Sequence, residues 1–192
     1  MSHELDKVLQ KIQRLSKQTD DYITKLEYVI HEEQRQAEYN IISYFSYSER
    51  IVHQPDVEGL LIGSLHILNI GRKSISNPYI CIQLSEESPF HFSGKFLQGN
   101  TSYPIPTGDT WERFDDVKNP REYWLRPVHQ NVLKPNEKVS FSPFQLKWLP
   151  SANYSGIVSS FTYFHEVSEG IPVLNPISIS GTITKGGGFH ES

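Results

Sequence analysis

The stretch at residues 60–84, LLIGSLHILNIGRKSISNPYICIQL, constrains the fold most. In its first arm Leu61, Gly63, Leu65, Ile67 and Asn69 fall on one side, and Leu60, Ile62, Ser64, His66, Leu68 and Ile70 on the other. In its second arm Ile80 and Ile82 share a side opposite Tyr79, Cys81 and Gln83. A period of two is the signature of a strand with one buried face. The residues between the arms, NIGRKSISNP, are rich in turn formers. A β-sandwich condensing around this pair of strands is the expectation.

The rest of the chain after residue 59 repeats the same grammar. SEESPF reads as a turn, and HFSGKFL as a strand with a bend or bulge at Gly94. EYWLRPVHQNVL carries Trp124 and Val128, with Pro127 at an edge or an end. A turn at Lys134-Pro135-Asn136-Glu137 precedes Val139, Phe141, Phe144, Leu146 and Trp148, and Pro143 breaks their alternation. Ile157, Ser159, Phe161 and Tyr163 alternate with Val158, Ser160, Thr162 and Phe164. A turn at Ser168-Glu169-Gly170 leads to Ile177, Ile179, Gly181 and Ile183. About seven or eight strands with no helical pattern between them imply an antiparallel sandwich, immunoglobulin-like or jelly-roll-like. Two fragments, LHILNIGRKSISNPYICIQL and LKPNEKVSFSPFQL, resemble immunoglobulin-like accessory domains of bacterial proteins. There a strand ending in Asn-x-Gly precedes a Pro-led strand, and a Leu-x-Pro-x-Glu turn precedes the strand opposite. The resemblance implies the fold and carries no site residues.

Ahead of this domain the pattern changes. From Glu4 to about Arg50 there is neither Gly nor Pro, and Ser2 is a suitable N-cap. Leu5, Val8, Ile12, Leu15, Tyr22, Leu26 and Val29 follow a heptad a/d register, with Thr19 in one polar slot. A stripe this narrow buries little alone, so the helix needs a partner: another copy of itself, or the surface of its own β-domain. A homo-oligomer through residues 5–29 with coiled-coil character is the favoured expectation. Residues 41–52 read either as the helix end or as a strand, with helix favoured to about Ser43. The expected organisation is helix over 1–52, linker over 53–59, sandwich over 60–184 and a flexible tail over 185–192.

Composition narrows the partners. A net charge of −4 without a basic block argues against nucleic acid or an anionic membrane surface. No stretch approaches the roughly 18 apolar residues of a membrane span, and the opening MSHELDKVLQKIQRL lacks an apolar run of signal-peptide length. The expectation is a cytoplasmic protein, or one assembled onto a particle from the cytoplasm without a signal peptide. With one cysteine, Cys81, no intramolecular disulfide can form. Cys81 sits between Ile80 and Ile82 with no basic neighbour, which is the setting of a buried, unreactive thiol.

Catalytic chemistry has little footing. The eight histidines show no His-x-His, His-x-x-His or His-x-x-x-His spacing, so neither a metal nor a cofactor is expected. His66 reads as a packed or edge histidine. Asp109, Glu112, Asp115 and Asp116 lack the order of a calcium loop. There is no nucleophile elbow, phosphate loop or dinucleotide fingerprint. The expectation is therefore a protein that is not an enzyme: a structural or adaptor protein with an unidentified protein partner. Its helices would display β-sandwich heads, as suits a component or assembly factor of a bacterial or viral particle such as a spore coat. The alternative is a ligand-binding module, most simply for carbohydrate. It would use the long 98–124 loop, in which DTWERFDDV reads as a short helix, and Trp111, Tyr123 and Trp124 as its aromatic platform.

Overall fold

The computed structural model describes residues 2–52, 54, 57–98, 110–114, 119–150 and 153–183, with side chains from residue 10 onward apart from 35–37. Two units follow one another, Met1–Glu38 and Tyr39–Ser192. The tail at 185–192 and most of the 98–124 loop lie outside the described residues.

The first unit is one helix, α1, Ser2–Glu38. Thr19, the polar slot of the heptad stripe, donates its hydroxyl to the Leu15 carbonyl at 3.0 Å. A threonine bonded within its own helix brings no unpaired hydroxyl into an apolar seam. Thr24 does the same with Asp20.

The helix stops earlier than the sequence suggested. β1 (Ile41–Arg50) begins three residues after Glu38, so residues 41–50 belong to the sandwich and not to the helix. Ile41, Ser43 and Phe45 are buried while Ile42 and Tyr44 are half-buried. That spacing of two can place apolar groups on one side of a strand but not of a helix. The expected domain boundary at 52 therefore moves to 38. β1 pairs with β2 (Gly59–Asn69) so that Arg50 lies opposite Leu60, and Gly59, expected in the linker, is already in a strand; residues 53, 55 and 56 of that linker lie outside the described residues.

Among the described residues the sandwich has thirteen strand segments. Its remaining long elements are β4 (Tyr79–Leu84), β8 (Glu122–Pro127), β10 (Lys138–Trp148), β11 (Asn153–Phe164), β12 (Val167–Pro172) and β13 (Ile177–Thr182). Shorter ones are β3 (Ile75–Ser76), β5 (His91–Gly94), β6 (Phe96–Gln98), β7 (Trp111–Arg113) and β9 (Val132–Leu133). The first sheet has the order β1-β2-β10-β5. The second runs β12-β11-β4-β8-β7-β6, with β13 also on β11, and β3 pairs with β9 separately. Pairing is antiparallel throughout except between β6 and β7.

The two arms of residues 60–84 do not pair with each other. β2 lies inside the first sheet and β4 inside the second. The chain turns between them at Asn69, whose buried side chain donates to the carbonyls of Lys73 (2.9 Å) and Leu133 (2.8 Å) and accepts from the Gly71 amide (2.9 Å). These bonds satisfy backbone groups that the departing strand leaves unpaired inside the fold. Opposite, the 134–137 turn forms as the sequence suggests, with Asn136 at φ 65° and its N–H donating to the Asn69 carbonyl at 2.8 Å. Asn tolerates that left-handed geometry better than most residues.

Aromatic rings fill the space between the sheets. In β10 the register slips between Phe141 and Phe144, so Phe141 faces Leu65 and Phe144 faces Gly63. The extra residue of this bulge, at Ser142-Pro143, keeps both rings pointing inward. Their planes lie 7° apart with centroids 6.3 Å apart. Phe92 stacks near both, and Phe45 meets Phe144 edge-on at 5.7 Å. Two glycines make room: a methyl group on Gly63 would stand 2.6 Å from Phe144, and one on Gly94 2.5 Å from Phe141. Gly94 thus marks a close approach within a paired strand.

Two further local expectations are corrected. Residues 111–113 form strand β7, not a helix, because Trp111 pairs with Pro127 and buries its ring. The turn expected at Ser168–Gly170 lies instead at His165-Glu166, and residues 168–170 are within β12.

Gly63→Ala tests the aromatic packing. Phe144 is fully buried and cannot swing away, so the added methyl should destabilise the fold by about 1–3 kcal/mol, the usual cost of overpacking. A shift of the urea midpoint to lower concentration with unchanged slope is the expected reading; an unchanged midpoint would contradict this packing.

Candidate functional site

The three aromatics singled out from the sequence do not form one platform. Trp111 is 1% exposed. Its Nε1 donates to the Ser140 carbonyl at 2.9 Å, and its ring meets Phe141 edge-on. It ties the second sheet to β10 of the first. Tyr123 and Trp124 are neighbours in β8 and so point to opposite faces. Tyr123 turns inward, 4.4 Å from Phe92, with the Arg113 guanidinium 4.6 Å over its ring. Only Trp124 reaches the outer face.

There it joins residues that the sequence reading had not grouped. β11 pairs with β4 so that Tyr163 lies opposite Tyr79, and β4 with β8 so that Cys81 lies opposite Trp124. The Tyr79 and Tyr163 rings stack at 5.1 Å with planes 8° apart. Trp124 lies 5.4 Å from Tyr163, and Phe114 stands perpendicular to Tyr79 at 5.7 Å. Phe114 is 41% exposed; Tyr79, Trp124 and Tyr163 are half-buried. Burial, then Cys81, Tyr79 and Glu122, raise the Tyr163 pKa. The Trp124 Nε1 donates to Glu122 at 3.3 Å. Cys81, on the same face of β4, is a buried cysteine outside any intramolecular disulfide. The signal that could have found this group is strand alternation carried across the ladder, since Tyr79, Trp124 and Tyr163 are all outward positions of adjacent strands.

Beside the rings is an open cleft of about 610 Å³, lined among others by Asn77, Tyr79, Glu112, Phe114, Arg126 and Asn131. Glu112 and Arg126 are outward neighbours on β7 and β8. The Arg126 Nε donates to Glu112 at 2.6 Å, and its guanidinium carbon lies 5.3 Å over the Phe114 ring.

A second polar array lies on the outer face of the first sheet. His66 bridges two strands, with Nε2 2.8 Å from the Ser46 hydroxyl and Nδ1 2.8 Å from that of Ser140. The Tyr44 ring lies 5.0 Å away. Burial, and secondarily the nearby Lys138 charge, lower the His66 pKa. Among the described residues the ring's hydrogen-bond partners are the two serine hydroxyls. Among the described residues no group of three or more His, Cys, Asp or Glu side chains is placed to hold a metal ion. No helix there is long and apolar enough to cross a membrane.

No protein-family model and no curated protein matches the chain. Among solved structures, a structural-genomics target, SoR45, superposes with a TM-score of 0.33 at 11% identity, covering 81% of this chain and 93% of that one. The collagen-binding subdomain ACE19 of the Enterococcus faecalis surface protein ACE gives 0.30 at 11%, covering 72% and 96%. A GH20 exo-β-N-acetylglucosaminidase from Vibrio harveyi gives 0.30 at 13%; this chain covers 18% of its length. Likenesses this weak say nothing of what the present chain binds or does.

The His66 bridge has a pH signature. A lowered folded pKa means the unfolded chain takes up the proton first as pH falls through about 6.5, the ordinary imidazole value. Stability should therefore fall below that pH until the lower folded value is passed. In His66→Gln, whose amide can still bond both serines, the slope of melting temperature against pH in that window should flatten. An unchanged slope would show that His66 does not carry it.

Proposed function

We propose that the chain is a non-enzymatic structural or adaptor protein whose N-terminal helix self-associates and displays the β-sandwiches as multivalent heads. Assembly factors and components of layered bacterial or viral particles such as spore coats are the setting this layout suits. The observation that carries it is the exposure of the α1 stripe: Ile12, Leu15, Tyr22, Leu26 and Val29 are 53–68% exposed. Leu5 and Val8 extend the same register in sequence, although their side chains are outside those described. Ile23 and Ile30, one position after Tyr22 and Val29, are 49% and 55% exposed and widen the stripe beyond a strict a/d seam.

Magnitudes allow a concentration-dependent assembly. Covering Ile12, Leu15, Tyr22, Ile23, Leu26, Val29 and Ile30 from roughly half exposure is worth on the order of 1 kcal/mol each. Two helices contribute twice that sum, against about 4–15 kcal/mol of lost translational and rotational freedom. The surplus lies between about zero and about 10 kcal/mol, and a third helix covering the widened stripe would enlarge it. Multivalent display then raises avidity without stronger individual contacts.

Light scattering on the full chain tests this. The mass should rise with concentration toward a small multiple of 22.1 kDa. A Leu15→Lys, Leu26→Lys double variant should remain monomeric with an unchanged near-ultraviolet spectrum from the sandwich. A wild-type chain that stays monomeric up to about 100 μM would sink the proposal, since an assembly with Kd above that is worth less than about 6 kcal/mol.

A further inference from the structure

We infer that the cleft on the outer face of the second sheet is a binding site for a neutral saccharide. The site is built within one β-domain, so it stands or falls separately from the self-association of α1.

The lining defines the ligand. Phe114 supplies an exposed wall, perpendicular to the Tyr79 ring at 89°. Asn77 and Asn131 are joined through their backbones, the Asn77 N–H donating to the Asn131 carbonyl at 2.7 Å. Their exposed side-chain amides make no hydrogen bond among the described residues and line the cleft. Asn77 holds a φ of 50°, a left-handed geometry uncommon outside Gly, Asn and Asp. A volume of about 610 Å³ falls within the ordinary range of small-molecule sites.

Charge disfavours the main alternatives. Arg126 and Glu112 are already bonded to each other at 2.6 Å, so the pair is locally neutral. An anion at the free edge of Arg126 would lie beside the Glu112 carboxylate, and a cation at Glu112 beside the Arg126 guanidinium, so neither charge is favoured. A purely apolar ligand would cover two amides without giving them partners, at about 1–3 kcal/mol for each buried group. A sugar ring meets every condition. Its C–H face packs on an aromatic wall, and its hydroxyls both donate and accept, which matches the two amides and the outer edges of the ion pair. The site differs from the Trp111, Tyr123 and Trp124 grouping suggested by sequence, since two of those rings face inward.

Calorimetric titration of the full chain with cellotriose, chitotriose, maltotriose and xylotriose, each to about 10 mM, is the test. At least one should bind saturably with a Kd of about 1 mM or tighter, as befits a single open site. Arg126→Gln and Asn131→Ala, both at exposed positions, should each weaken it about tenfold, while Ser180→Ala on β13 leaves it unchanged. Saturation by none of the four would overturn the inference. So would binding that survives both variants, or saturation only by a heparin tetrasaccharide or trilysine.

Discussion

The sandwich depends on two phenylalanines that lie parallel between its sheets. Phe141 and Phe144 are three residues apart in one strand, and a regular strand would send them to opposite faces. The bulge at Ser142-Pro143 brings both inward. Gly63 and Gly94 then leave room for rings where side chains would otherwise stand. Around this pair gather Phe45, Phe92 and Trp111. Proline costs least at a bulge, where no ladder hydrogen bond is lost. The core and the irregularity of β10 are thus one feature.

That core also sorts the aromatic residues by role. Trp111 is drawn inside because β10 leaves the Ser140 carbonyl for the indole to satisfy. Tyr123 follows it inward, and strand geometry then obliges Trp124 to face outward. The outer cluster of Tyr79, Trp124, Tyr163 and Phe114 is the complement of the packed interior. Polar groups beside it, Asn77, Asn131, Glu112 and Arg126, come from three separate segments of the chain. Register between β7 and β8 joins Glu112 to Arg126, and the bond from the Asn77 N–H to the Asn131 carbonyl joins the other two.

At the edges, other devices keep backbone groups paired. Asn175 acts as a single-residue strand against β1: its side chain accepts from the Phe45 N–H at 2.8 Å and donates to the Phe45 carbonyl at 2.9 Å. Arg121 holds the 85–88 turn through the Ser85 and Ser88 carbonyls, each at 3.1 Å. Paired or blunted edges limit strand-to-strand association of the sandwich.

Much of this was legible in the residues themselves. Alternation in 61–69, 80–84 and 157–164 divided the residues between the same two faces that the structure shows, because a period of two is a local property of the strand; which face of 157–164 is inward followed only from the fold. The absence of Gly and Pro and the heptad spacing marked the helix, for the same local reason. The helix end was misplaced because β-branched and aromatic residues at 41–45 suit either state until a partner strand is present. β2 supplies that partner from about twenty residues away. Which strands pair, that residues 60–84 feed two different sheets, and that Trp111 and Trp124 part company were decided only by tertiary structure. Those outcomes rest on contacts between distant segments, whose energies come from shared burial and completed hydrogen bonds rather than from any local run of sequence.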